Sequence, residues 1–252
     1  MKLHRKIYRV ARSVLFTAVL AVVGIYLGIY VLLSVPAVQN RIKGIAVKEI
    51  SAFLGSEVKI DNLVVKPFNE VVVKGLSVND LSGRECLYVE TVGVGVSLWK
   101  LLSEGKVEFS YGEIIGLRAD VSQPAEGAPL NIAFIIDAFK PKDKNKPPTK
   151  FDIKLRNVVL RRCSATFNRE WQPLKQQPGT DFNHLNISDL KADLNIPRLK
   201  NDDFIIDLRR LAFKMSGGFN MEKLALQTHI TSTSISVNNL VVELPGTKIL
   251  PS

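Results

Sequence analysis

Apolar positions along this chain change their spacing twice. From Val14 to Val35 they are almost unbroken. From Ala37 to Leu54 they recur near helical spacing, at Val38, Ile42, Ile45, Ile50, Phe53 and Leu54, and Gly55 follows where a helix C-cap belongs. From Glu57 onward the period is two. Val92, Val94, Val96 and Leu98 alternate with Gly93, Gly95 and Ser97; Val107, Phe109 and Tyr111 alternate with Glu108, Ser110 and Gly112. Phe204, Ile206 and Leu208 repeat the pattern, which marks strands with one buried face. The expectation is a mainly β body of about eleven strands, with short helices near Leu98–Leu102 and Asn131–Phe139.

A four-residue unit, apolar–polar–polar–apolar, interrupts this alternation. It occurs as Ile60-Asp61-Asn62-Leu63, Val78-Asn79-Asp80-Leu81 and Leu155-Arg156-Asn157-Val158. It returns as Ile187-Ser188-Asp189-Leu190, Leu208-Arg209-Arg210-Leu211 and Val237-Asn238-Asn239-Leu240. Two polar residues between apolar ones shift the alternation by one, so one face stays buried only if the strand bulges or bends there. Asp61, Asn62, Asn79, Asp80, Asn157, Asp189, Asn238 and Asn239 are the bend candidates, because Asn and Asp tolerate the backbone this needs. Ordinary strand turns of any antiparallel sheet are the plainer reading. The sharper one is a long antiparallel sheet bent along one seam into a trough. Spacing between units is irregular, which argues against a fixed-period solenoid.

The apolar run of residues 14–35 makes a helix of about 33 Å, enough to cross a hydrocarbon core of about 30 Å. Lys2, Arg5, Lys6, Arg9 and Arg12 precede it, and the first acidic residue is Glu49. Residues 1–13 are therefore expected in the cytoplasm and everything after Val35 outside it. A cleavable signal peptide is the alternative, but the run is long and Ser34-Val35-Pro36-Ala37 is a poor cleavage site. Gly24 and Gly28 form a small-xxx-small pair suited to helix packing. Residues 37–54 are expected to lead from the membrane and plug the end of the sheet, or else to lie on the membrane surface. Residues 57–252 form the exported domain, with a Pro- and Lys-rich surface loop at 140–150.

Of the formal net charge of +10, the first twelve residues carry +5 and Lys140–Lys150 carries +4. The basicity is thus a topology signal plus a solvated loop, and nucleic acid is not an expected partner. Cys86 and Cys163 sit in apolar strand-like runs, as small buried hydrophobes or as a disulfide pair. His4, His184 and His229 are scattered, so no metal ligand set is expected. No GxSxG elbow, HExxH helix, phosphate-binding glycine loop or GxGxxG fingerprint is present. No enzymatic activity and no cofactor are expected.

The order of motifs carries a family resemblance. The anchor, the helix from Pro36-Ala37-Val38-Gln39 to Leu54-Gly55, Val58-Lys59-Ile60 and the strand end at 76–80 (LSVND) resemble the start of AsmA-like and TamB proteins of Gram-negative envelopes. Residues 94–105 (VGVSLWKLLSEG) and 107–117 (VEFSYGEIIGL) resemble their strand–short helix–strand unit. Residues 181–194, 216–226 and 237–248 resemble TamB-type sequences of the Bacteroidetes kind. TamB proteins are much longer and end in a characteristic domain that has no counterpart in these residues.

The resemblance implies an elongated, taco-like β-groove anchored in the inner membrane, with the bulk of the chain periplasmic. It implies a role in outer-membrane biogenesis, conducting membrane phospholipid between the inner and outer membranes. The alternative is a scaffold or chaperone for outer-membrane β-barrel proteins, with an Omp85-type barrel engaged through the missing C-terminal domain. A structural spacer without cargo is the third reading. The groove lining is expected at Val92, Val94 and Val96 with Val107, Phe109 and Tyr111. The last strand, Ser234 to Leu244, reads as an open edge, so a continuation beyond Ser252 or a docked subunit is expected to cover it.

Overall fold

The computed structural model describes residues 2–66, 70–96, 109–139, 155–176, 179–200, 203–231 and 233–249. Helix α1 (Lys2–Ser34) contains the apolar stretch Arg12–Ser34, whose mean hydropathy is 2.4 and whose side chains are largely exposed until Leu33 reaches the sheet. Its 23 residues are long and apolar enough to cross a membrane. A single extended residue, Val35 (φ −67°, ψ 126°), separates it from α2 (Pro36–Leu54). Proline at the first position of α2 suits a helix start, since its missing N–H would have no helical partner there. Gly55 ends α2 in the left-handed region (φ 69°), donating its N–H to the Ser51 carbonyl at 2.8 Å.

Ten strands follow among the described residues: β1 (Val58–Lys66), β2 (Glu70–Asn79), β3 (Glu85–Val96), β4 (Phe109–Gln123), β5 (Leu155–Arg169), β6 (His184–Lys200), β7 (Asp203–Met215), β8 (Asn220–Thr231), β9 (Ile235–Leu244) and β10 (Thr247–Ile249). They form one sheet in sequence order. The expected antiparallel sheet needs one correction: β4 and β5 pair in parallel, so the sheet is mixed. A parallel pair requires a crossover that returns the chain to the same end of the sheet. The segment between β4 and β5 does this and contains α3 (Ala133–Phe139), close to the helix expected there. Asn131 ties the start of this crossover to β4, accepting from the Ser122 amide and donating to the Asp120 carbonyl, both at 2.8 Å. The short helix expected near Leu98–Leu102 and the loop 140–150 lie outside the described residues.

The core sits at the β1 end. Ile60, Leu63 and Val65 are buried under Leu33 of α1 and Ile42, Ala46 and Val47 of α2. Val58, Val78 and Cys86 are buried beside Leu54 and beneath Phe134 and Ile135 of α3. The first strand has a neighbour on one side only, and α2 supplies it with further partners. Lys43 donates to the Asp61 carbonyl and the Ser51 hydroxyl accepts from the Val58 amide, each at 3.1 Å. At the other end, β9 is followed by β10, a three-residue strand absent from the pattern-based expectation.

Candidate functional site

The strand register builds a continuous apolar surface on one face of the sheet. One line of directly paired residues runs Leu63, Val73, Val92, Ile114, Leu160, Ala192, Leu211, Leu224, Val242, Ile249 and crosses all ten strands. Paired residues point to the same side, so these side chains share a face. A second line runs Val65, Val71, Val94, Gly112, Val158, Leu194, Leu208, Leu226. A third, toward the other strand ends, runs Val58, Val78, Leu87, Ala119, Ala165, Ile187, Met215.

Covering of this face is uneven. Helices α2 and α3 bury its β1–β3 part. Over β5–β9 none of the described helices packs extensively, and Leu160, Leu194, Leu208, Leu211, Leu224, Leu226 and Val242 stay half-buried by their neighbours alone. Among the described residues, the rows over β5–β9 therefore lie under no helix: Val158, Cys163 and Ala192 are buried by their neighbours in the sheet and the larger aliphatic side chains are left half-exposed.

Between the rows the strands carry left-handed residues: Gly75 (φ 61°) in β2, Gly116 (φ 68°) in β4, Arg162 (φ 55°) in β5, Asp189 (φ 54°) in β6 and Asn239 (φ 54°) in β9. An apolar residue follows each: Leu76, Leu117, Cys163, Leu190 and Leu240. A left-handed residue in a strand inserts an extra step, so apolar side chains three apart, not two, share a face. Ile60 and Leu63 are 8% and 4% exposed, although the unit's alternation alone would send them to opposite sides. Register breaks occur at Leu155/Val158, Leu208/Leu211 and around Asn239, where bend units were expected. Asp61 lies opposite Gly75 and its side chain occupies the space a Cβ there would need. Glu90 lies over Gly116 and accepts from Arg162 at 3.0 and 3.2 Å. Lys214 reaches Asp189 at 3.0 Å and Asn239 donates to Gln227 at 2.9 Å.

Several expected positions are corrected. Tyr111 pairs with Gly95, while Val94 pairs with Gly112, so Tyr111 stands on the face opposite Val92 and Val94. There it lies beside Glu113, and burial together with that carboxylate pushes its phenol above the ordinary range. Val96 pairs with Phe109 across a bulge, and Val107 lies outside the described residues. Val92 and Val94 do stand on the apolar face. The unit Val78–Leu81 falls at a strand end: the β2–β3 register shifts between Val78 and Asn79, Asn79 ends β2 and Asp80 sits in the β2–β3 turn. The Asp80 side chain is 3% exposed and accepts from the amides of Ser82 and Arg84 at 2.8 and 3.0 Å. Burial opposes its ionisation, but the hydrogen bonds from Ser82 and Arg84 outweigh it, and its carboxyl lies below the usual range. Among the described residues outside α1's own backbone, no atom lies within 4 Å of where a Cβ would stand at Gly24 or Gly28.

Over β6–β9 the opposite face carries charged side chains. Lys191, Asp193, Arg210, Lys223 and Glu243 border a cavity of about 940 Å³ whose lining also includes Val159, Phe213 and Met221, with Asp193 paired to Arg161 at 2.6 Å and Glu243 to Lys248 at 2.8 Å. Cys86 and Cys163 are free thiols, both buried, and burial raises the pKa of each. Among the described residues no cluster of His, Cys, Asp and Glu is arranged to hold a metal ion. Comparison with protein-family models finds no match for this sequence, and comparison with curated proteins finds none either.

Proposed function

We propose that this chain is a TamB- or AsmA-like envelope protein, anchored in the inner membrane by α1, with its sheet in the periplasm. The uncovered apolar face takes the acyl chains of phospholipids and conducts them between the inner and outer membranes, without catalysis. One observation carries this reading: the three aliphatic rows continue through strands that none of the described helices covers. A soluble sheet normally buries such a face against a second layer. Acyl chains, which need apolar contact and no fixed geometry, fit a surface of aliphatic rows without directed polar groups.

A second reading has one observation in its favour. Strand β10 pairs only with residues 242–244 of β9, and Ile235 and Val237 are 72% and 52% exposed. No charged residue stands between Ile235 and Val242. Such an edge suits pairing with an extended polypeptide, as a scaffold for barrel strands would require.

Photocrosslinking in living cells separates the two readings. A photoreactive residue at Leu160, Leu211 or Leu224 is expected to yield phospholipid adducts, and one at Lys191 or Lys223 on the opposite face is not. Leu211→Asp is expected to cut the adducts at Leu160 and Leu224 several-fold with protein levels unchanged, since a charge among acyl chains is costly. Equal adducts on both faces, or none on either, would refute the lipid reading. Polypeptide adducts at Val237 would favour the scaffold.

A further inference from the structure

We infer that α2 lies flat on the bilayer, held between the sheet on one side and an anionic lipid surface on the other. This rests on α1 spanning the membrane and not on phospholipid being the cargo. Two features of the backbone set the geometry. Helix α1 ends one residue before α2 begins, and Val35 between them is extended, so the two axes do not continue as one rod. The helices share few contacts, so α2 does not fold back along α1 either. It therefore departs from the line of α1 right at the end of the membrane-spanning stretch.

The side chains agree. The inner side of α2, with Ile42, Ala46 and Val47, is fixed on the Ile60–Leu63–Val65 cluster. Turned away from the sheet, at helical spacing, are Ala37, Arg41, Ile45, Lys48 and Ala52, all exposed. Ile45 is 56% exposed among the described residues. This stripe carries two cations, one branched aliphatic and small residues, and the helix has a single acidic residue, Glu49. Basic side chains interleaved with apolar ones on one helix face match the interface of an anionic membrane, where cations meet phosphates and the aliphatic group enters the headgroup layer. Leu33 of α1 packs on the same cluster as α2, so the sheet's first strand also starts against the anchor. The bilayer, α2 and the first strands then form consecutive layers, with the β1 edge sealed where it meets the membrane.

The test uses the full chain in lipid nanodiscs containing anionic lipid. Single cysteines at Ala37, Ile45 and Ala52 carry a fluorophore, and headgroup-linked nitroxide lipids act as quenchers. Cys86 and Cys163 are buried and stay in place. A further label at Leu20 reports the anchor, and one at Leu174, 72% exposed in the loop between β5 and β6, sets the reference level. Flat docking predicts equal depth at Ala37, Ile45 and Ala52, all quenched several-fold more than Leu174. An upright helix would lift Ala52 about 22 Å further from the bilayer than Ala37, at ~1.5 Å per residue. Quenching that falls from Ala37 to the Leu174 level at Ala52 overturns the inference. The double variant Arg41→Glu/Lys48→Glu should lower quenching at Ile45 and Ala52 and leave Leu20 unchanged; unaltered quenching overturns the anionic partner. A Leu20 label that is not deep would instead show that the anchor premise failed.

Discussion

Gly116→Ala tests whether the left-handed step in β4 depends on close approach between strands as well as on backbone conformation. Gly116 has φ 68°, and a Cβ there would lie 2.6 Å from the Glu90 Oε2 and 2.8 Å from the Glu90 Cβ. The left-handed backbone costs a non-glycine residue about 1–2 kcal/mol, and the stiffer unfolded chain returns about 0.4–1 kcal/mol. Glu90 can swing its carboxylate away, but its Cβ is fixed to β3, so the strands must part, at about 1–3 kcal/mol. Loss of the Glu90–Arg162 pair adds little, because both side chains are more than half exposed. The expected total is about 3 kcal/mol. Gly83→Ala is the control: φ is 86° and nothing lies within 4 Å, so it should cost about 1 kcal/mol. Urea unfolding of the full chain in detergent, followed by circular dichroism, measures both. Adding Glu90→Gly should recover most of the excess at Gly116. Equal losses for Gly116→Ala and Gly83→Ala would refute the close-approach argument.

Leu63→Ala should destabilise the β1–α2 core by about 2–5 kcal/mol, whereas Ile235→Ala, at a site 72% exposed, should leave the urea midpoint unchanged. The amides of Lys175 and Asn183, with His184, hold the Asp181 carboxyl at about 2, below an ordinary aspartate's 3.8. A depressed folded pKa stabilises above the unfolded value and is lost on acidification, so pepsin cleavage of the Glu170–Asn183 loop should rise as pH falls from about 4 to about 2. Asp181→Asn should remove that pH dependence. Cys86 and Cys163, 1% and 2% exposed with raised thiol pKa values, should resist maleimide in native protein and react fully in denaturant.

Much of this architecture was legible because it depends on local spacing. The apolar run of α1, the helical period and Gly55 cap of α2, and the period-two strands need only neighbouring residues. Asp189 and Asn239 were also readable, since both side chains tolerate the left-handed region. Arg162 was not, because arginine has no such preference; it is held there beside a bidentate contact to Glu90, far away in sequence. Gly75 and Gly116 carried a signal that went unused: a lone glycine inside a strand marks a bulge or a close backbone approach. The parity of Tyr111 and the parallel β4–β5 pair depend on register and crossover, which no local period encodes.

The left-handed residues and the apolar rows follow from one constraint. A strand that bends must lose its alternation for a step, and without compensation its aliphatic side chains would change faces at the bend. Placing the extra residue in the left-handed region restores them. Val73 and Leu76, Ile114 and Leu117, and Leu160 and Cys163 each stand three apart on the same face. The defect therefore recurs in strand after strand as the unit apolar–x–left-handed–apolar, at Val73–Leu76, Ile114–Leu117, Leu160–Cys163, Ile187–Leu190 and Val237–Leu240. A sheet that had only to bend could let its faces mix. Keeping the same side apolar through these left-handed steps in successive strands maintains one surface from the strands under α2 and α3 to those that no described helix covers, and it is on that surface that the proposed lipid path runs.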